Sequence, residues 1–75
     1  MRDVEIESEF VTLAQLLKLA NLVDSGGGAR HFLAETPVRV NGELDDRRGR
    51  KVRPGDVVAV RDDELRVVRA ATPTR

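Results

Sequence analysis

Arg47, Arg48, Arg50, Lys51 and Arg53 put five cations into seven consecutive positions with no acid among them. Like charges this close repel one another and gain little within an isolated molecule. Against a phosphate chain each can displace condensed counterions and so contribute to binding. The plain alternative is a solvated loop. Asp45 and Asp46, immediately upstream, favour that alternative for the first cations, because they are placed to pair with Arg47 or Arg48. Arg50, Lys51 and Arg53 are therefore the stronger candidates to meet an anion, with Arg47 and Arg48 in support.

Three successive glycines, Gly26 to Gly28, precede Ala29-Arg30-His31. Each glycine inside a helix costs roughly 1 kcal/mol relative to alanine, so the run needs a reason. Bare backbone N–H groups of Gly27 and Gly28 at a helix start can approach a phosphate closely; close packing against another element or a positive-φ turn is the competing account. No Lys-Ser or Lys-Thr pair follows, which argues against a nucleotide-binding loop. Arg30 either meets a polyanion or pairs with Glu35 or Asp24. His31 is the sole histidine in a chain without cysteine, so it has no partners for a metal site and is at most a secondary contact beside Arg30. Lys18 and Arg39 are further candidate contacts, whereas Arg61, Arg66 and Arg69 sit among Asp62, Asp63 and Glu64, where local pairing is simpler. No catalytic constellation, metal or cofactor is expected.

Charge sums to zero, with 13 Lys plus Arg against 13 Asp plus Glu, but the sum hides segregation. Asp3, Glu5, Glu7 and Glu9 crowd the first ten residues, and the basic run lies far downstream. A polyanion senses the field within a Debye length of about 8 Å, so local charge outweighs the total. Seventy-five residues make one small domain, too little chain to wall a deep active site. No apolar run approaches the roughly 20 residues of a membrane span, and a cytoplasmic protein with no membrane partner is expected, a monomer by default.

The elements that position these residues follow from periodicity. Val4, Ile6 and Phe10 alternate with Glu5, Glu7 and Glu9, predicting a strand over 3–10 with one wet face. Thr12 and Gln15 have capping-box spacing, and Val11 and Leu16 staple spacing, for a helix whose Leu13, Leu16, Leu17 and Ala20 form one buried stripe. Asn21 to Asp24 end it, and Ser25 is placed to cap a second helix that buries Ala29, Phe32 and Leu33. Pro37 stops that helix. Short strands follow at Val38–Val40 and around Glu43 and Leu44, joined by the Asn41-Gly42 turn. Residues 45–53 read as an exposed connection, Pro54-Gly55 and Asp62-Asp63 as turns, Val57–Val60 and Leu65–Val68 as the last strands. The prediction is an α+β domain over 1–70, a helix pair packed on a small, mostly antiparallel β-sheet, with 71–75 a mobile tail. Phe10 and Phe32, the only aromatics, are both expected on apolar faces, leaving no platform for splayed bases.

Ala29-Arg30-His31-Phe32-Leu33, Val38-Arg39-Val40-Asn41-Gly42 and Val52-Arg53-Pro54-Gly55-Asp56-Val57-Val58, taken as one spaced set, resemble the RNA-binding domain named after small-subunit ribosomal protein S-four, also called the αL motif, and in particular its short stand-alone bacterial members. Singly the Asn-Gly and Pro-Gly turns are common; in this order after a capped helix pair they are specific. The resemblance covers about residues 12–60 and implies a helix pair whose second helix, with the loop and strands after it, faces structured RNA, ribosomal RNA above all. The family's helix-two arginine falls on Arg30 and its Asn-Gly turn on Asn41 and Gly42. Gly26 to Gly28 depart from the more charged helix start of ribosomal members, which weakens transfer of base contacts. A module that docks on a protein partner through a sheet edge or the acidic first strand is the rival reading, and charge alone does not separate RNA from DNA.

Overall fold

Strand β1 (Arg2–Ile6) buries Val4 and Ile6 and exposes the residues between them, the alternation the sequence calls for. The computed structural model describes residues 1–24, 26–61 and 63–70. The predicted Ser25 cap, the Asp62 half of a turn and the tail 71–75 lie outside these. A two-residue strand, β2 (Val11–Thr12), leads into helix α1 (Leu13–Leu19), and helix α2 (Gly26–Glu35) follows. Strands β3 (Val38–Val40), β4 (Glu43–Leu44), β5 (Lys51–Val52), β6 (Val57–Val60) and β7 (Asp63–Arg69) complete the described chain.

The structure departs from the sequence pattern at three places. The first strand does not run to residue 10: β1 ends at Ile6 and residues 7–10 bend away, where the Ser8 hydroxyl donates to the Phe10 carbonyl at 2.7 Å. The chain must leave the large sheet there to reach β2, and Phe10 therefore drops out of the apolar register. The stretch 45–53 is not a bare connection, since Lys51 and Val52 pair with Thr12 and Val11. The last strand is longer than predicted, beginning at Asp63.

Five strands form one sheet in the order β1-β7-β6-β3-β4, while β2 and β5 form a separate antiparallel ribbon. Neighbours in the sheet are antiparallel except β1 and β7, which run parallel with Val4 opposite Val67. The architecture is α+β, two helices with a mostly antiparallel five-stranded sheet. Val38, Val40, Val58, Val60, Leu65 and Val67 from the sheet join Leu13, Leu16, Leu17, Ala29 and Leu33 from the helices in one core. Burying such a side chain is worth about 1.5–3 kcal/mol, and with no cysteine in the sequence this core carries the small domain without a disulfide. Val52 is fully buried as well, so the ribbon is pinned to the core by its inward residue.

Both helix ends are chemically specified. Thr12 accepts from the Gln15 amide at 3.2 Å while Gln15 Oε1 accepts from the Thr12 amide at 2.9 Å, the predicted capping box. At the other end Asn21 adopts φ 62°, and the amides of Asn21 and Leu22 return to the carbonyls of Lys18 and Leu17, a Schellman closure with asparagine in the left-handed position. Asn41 and Gly42 have φ of 52° and 89°, as the type I′ hairpin between β3 and β4 requires. Gly55, at φ 100°, follows Pro54 in a turn closed by the Asp56 amide on the Arg53 carbonyl at 2.9 Å.

Candidate nucleic-acid interface

The basic loop is built onto the start of α1. The amides of Leu13 and Ala14, which no helical carbonyl can satisfy, donate to the carbonyls of Arg50 at 2.7 Å and Arg48 at 3.1 Å. The backbone of the loop is thus engaged inward, and the side chains are left to project. One carboxylate organises them further. Asp45, whose side chain is only 6% exposed, takes Arg47 Nη2 at 2.8 Å and Arg50 Nη1 at 2.7 Å, and also accepts from Arg47 Nε and the Arg47 amide, each at 3.0 Å. The Arg47 side chain, hydrogen-bonded to it, holds the Asp45 carboxyl well below the usual carboxylate range although burial pushes the other way; the Arg47 amide and Arg50 add to the lowering.

The loop cations consequently divide. The sequence marks Arg50 as freer than Arg47, but Asp45 binds both. Asp45 also leaves Arg50 the less exposed of the two, at 27% against 70%. Among the described residues, none of Lys18, Arg30, Arg48, Lys51 and Arg53 has a carboxylate within ion-pair distance. Lys51 in β5 and Arg53 just past its end both reach the Phe10 ring, with Lys51 Nζ 5.0 Å and Arg53 Cζ 5.9 Å from the ring centroid. Phe10 is 37% exposed, which overturns the expectation that both aromatics are sequestered; Phe32 alone is buried, under Arg61 at 5.0 Å. A cation–π contact at an exposed site is worth only about 0.5–1 kcal/mol, so phosphates can draw these cations off the ring at little cost.

Other candidates fall into three places. Lys18, in the last turn of α1, lines a shallow hollow with Val11, Gln15 and Leu19. Arg30 is exposed on α2. His31 lies on the far flank, exposed and 3.4 Å from Glu35, in a groove with Gly28, Phe32 and Arg61. Gly27 is exposed and Gly28 half-buried in the first turn of α2. Arg39 alternates with buried Val38 and Val40, so it sits on the sheet face away from the helices and reaches back to the Gly42 carbonyl at 3.4 Å. The structure thus gathers Arg47, Arg48, Arg50, Lys51 and Arg53 around the start of α1, sets Lys18 in the last turn of that helix and Arg30 on the exposed side of α2, and does not gather Arg39 or His31. Phe10 escaped the sequence reading; Ser8 standing in the apolar register of that strand was the signal that the register breaks.

Asn41 links the two turns behind this surface. Its Oδ1 accepts from the Val57 amide at 3.0 Å, and its Nδ2 donates to Asp56 Oδ1 at 3.1 Å; Asp56 Oδ2 accepts from the Arg53 amide at 2.8 Å. The Asn-Gly hairpin therefore fixes the strand end from which Arg53 projects. Among the described residues, no group of three or more histidine, cysteine or acidic side chains is arranged to hold a metal, and no helix is long and apolar enough to cross a membrane.

A chain from Bacillus subtilis (strain 168), named "Probable ribosome maturation protein RlbA", is 53% identical over 57 residues, which span 76% of the present chain and 80% of that relative. The profile described as S4 domain matches residues 4–68, taking in both helices, the ribbon and nearly all of the five-stranded sheet, and by that match the chain belongs to the S4 domain family.

Proposed function

We propose that this chain binds structured RNA, ribosomal RNA first among the candidates, through the basic surface around the start of α1, and that it does so without chemistry of its own, in the cytoplasm. The observation that carries the reading is that Arg48, Lys51 and Arg53 sit around the start of α1 with no carboxylate of the described residues within ion-pair distance, on a loop whose backbone is hydrogen-bonded to that helix start, with Lys18 in the last turn of the same helix. Cations fixed in this way lose little conformational freedom on meeting a phosphate backbone, and arginine's planar fork suits phosphate oxygens. The helix pair plays the part of the αL motif, α2 offering Arg30 from the flank, with His31, Gly27, Gly28 and Arg39 outside the main contact. The name of the Bacillus relative points to ribosome maturation as the setting.

The test is a titration of purified ribosomal RNA at several salt concentrations. Affinity of the wild type falls as salt rises, and Lys51→Ala combined with Arg53→Ala flattens the log–log dependence by about 1 to 2 units. An unaltered slope in that double variant rules the surface out. A protein-docking adaptor is the second reading, favoured by Leu44, which stands exposed on edge strand β4, and by β1 at the opposite edge of the sheet. Pull-downs separate the two: partners that vanish after nuclease treatment support RNA, and partners that persist support the adaptor.

A further inference from the structure

We infer that the exposed Phe10 ring, between Lys51 and Arg53, seats one unpaired nucleobase of the bound RNA. The inference rests on the RNA-binding reading above and makes it specific: the ligand is a helix interrupted by a bulge or loop, not an uninterrupted duplex. Three observations converge. Phe10 leaves the register of β1 and keeps over a third of its surface in water, while the chain's other aromatic is buried. Its backbone is held by the Ser8 hydroxyl at 2.7 Å and by the β2–β5 ribbon that starts at the next residue, so the ring is presented from a fixed position.

Beyond the ring itself, its neighbours are two cations within 6 Å, neither of them ion-paired among the described residues. A nucleotide is a flat π-system carried between two negative phosphates, and the site offers one π-face between two positive groups. An apolar peptide side chain would have no use for the cations, and an acidic one no use for the ring. Once phosphates draw Lys51 and Arg53 aside, the ring face opens to a base. Only a base without stacking neighbours on both sides can take it, which excludes continuous duplex.

The chain contains neither tryptophan nor tyrosine, so Phe10→Trp installs a single indole as reporter. The probes are a hairpin RNA with one bulged adenosine, the same hairpin fully paired, and purified ribosomal RNA. The bulged hairpin is expected to quench the indole at concentrations that saturate binding, with Phe10→Trp binding at least as well as wild type. Phe10→Leu, checked for native unfolding behaviour, is expected to bind the bulged hairpin roughly 5- to 100-fold more weakly. Its salt slope stays that of wild type because no charge is lost, and its affinity for the paired hairpin is unchanged. If Phe10→Leu matches wild type on the bulged hairpin while Lys51→Ala still flattens the salt slope, the stacking site is wrong and the basic surface stands. If no probe binds in a salt-dependent way, both readings fall together.

Discussion

Asp45 Oδ2 and Arg50 Nη1 lie 2.7 Å apart, and the same oxygen holds Arg47 Nη2 at 2.8 Å, so a single nearly buried carboxylate ties both ends of the turn over 45–50. Removing it leaves a half-buried guanidinium unpaired and frees the Arg47 amide, so Asp45→Ala is expected to lower stability by about 2–3 kcal/mol. Asp46→Ala, on an exposed neighbour, should stay within about 0.5 kcal/mol of wild type. Urea unfolding of the two variants side by side measures the contrast, and equal losses would contradict it.

The same pair predicts acid behaviour. Arg47, with Arg50, holds the Asp45 carboxyl well below its ordinary value in the folded chain. A carboxyl depressed by folding stabilises the native state above its unfolded value, near pH 4, and that contribution is lost as pH falls from there toward the folded value. Wild type should therefore lose stability below about pH 4, and Asp45→Asn should lose less over that interval. Stability curves for the two proteins that run parallel through the acid range would refute the assignment.

Legibility in the sequence followed the range of the interactions. The capping box at Thr12 and Gln15, the buried stripe of α1 and the turns at Asn41-Gly42 and Pro54-Gly55 are set within a few residues, and each is in place. The parallel pairing of Arg2–Ile6 with β7 joins residues some sixty positions apart, and no local pattern encodes a partner at that distance. Alternation puts Phe10 on the apolar face because it cannot say where a strand ends, and the break is imposed by the need to reach β2. Spacing alone makes Arg50 look freer than Arg47 because it does not reveal loop curvature; the turn brings position 50 back onto Asp45, five residues earlier. Lys51-Val52 is too short to show as a strand by pattern, and only the fully buried Val52 betrays it.

Arg50 and Lys51, adjacent in the chain, should behave as opposites. Arg50 is ion-paired and half-buried while Lys51 is exposed with only a ring beside it. Arg50→Ala is expected to act on folding, raising the fraction unfolded in urea with little change in the salt slope of RNA binding. Lys51→Ala is expected to leave unfolding within about 0.5 kcal/mol of wild type and to reduce the slope by about 1 unit. A larger slope change from Arg50 than from Lys51 would mean that RNA opens the Asp45 clamp.

Asn41 carries two separable loads, a left-handed backbone at φ 52° and a side chain bridging the Val57 amide and Asp56. Asn41→Gly keeps the backbone freedom and loses the bridge, at a cost of about 1–2 kcal/mol for two hydrogen bonds, one to a charged acceptor. Asn41→Ala loses the bridge and also forces an L side chain into the left-handed region, adding roughly 1–2 kcal/mol. Asn41→Asp keeps an acceptor for Val57 but sets a second carboxylate against Asp56, so its deficit should shrink as pH falls and the pair takes up a proton. Because Asp56 also holds the Arg53 amide at 2.8 Å, all three variants should loosen the presentation of Arg53. RNA affinity measured well below each variant's unfolding transition should then drop in the same order as stability, Ala below Gly, and full affinity in a destabilised Asn41→Ala would show that Arg53 does not depend on this bridge.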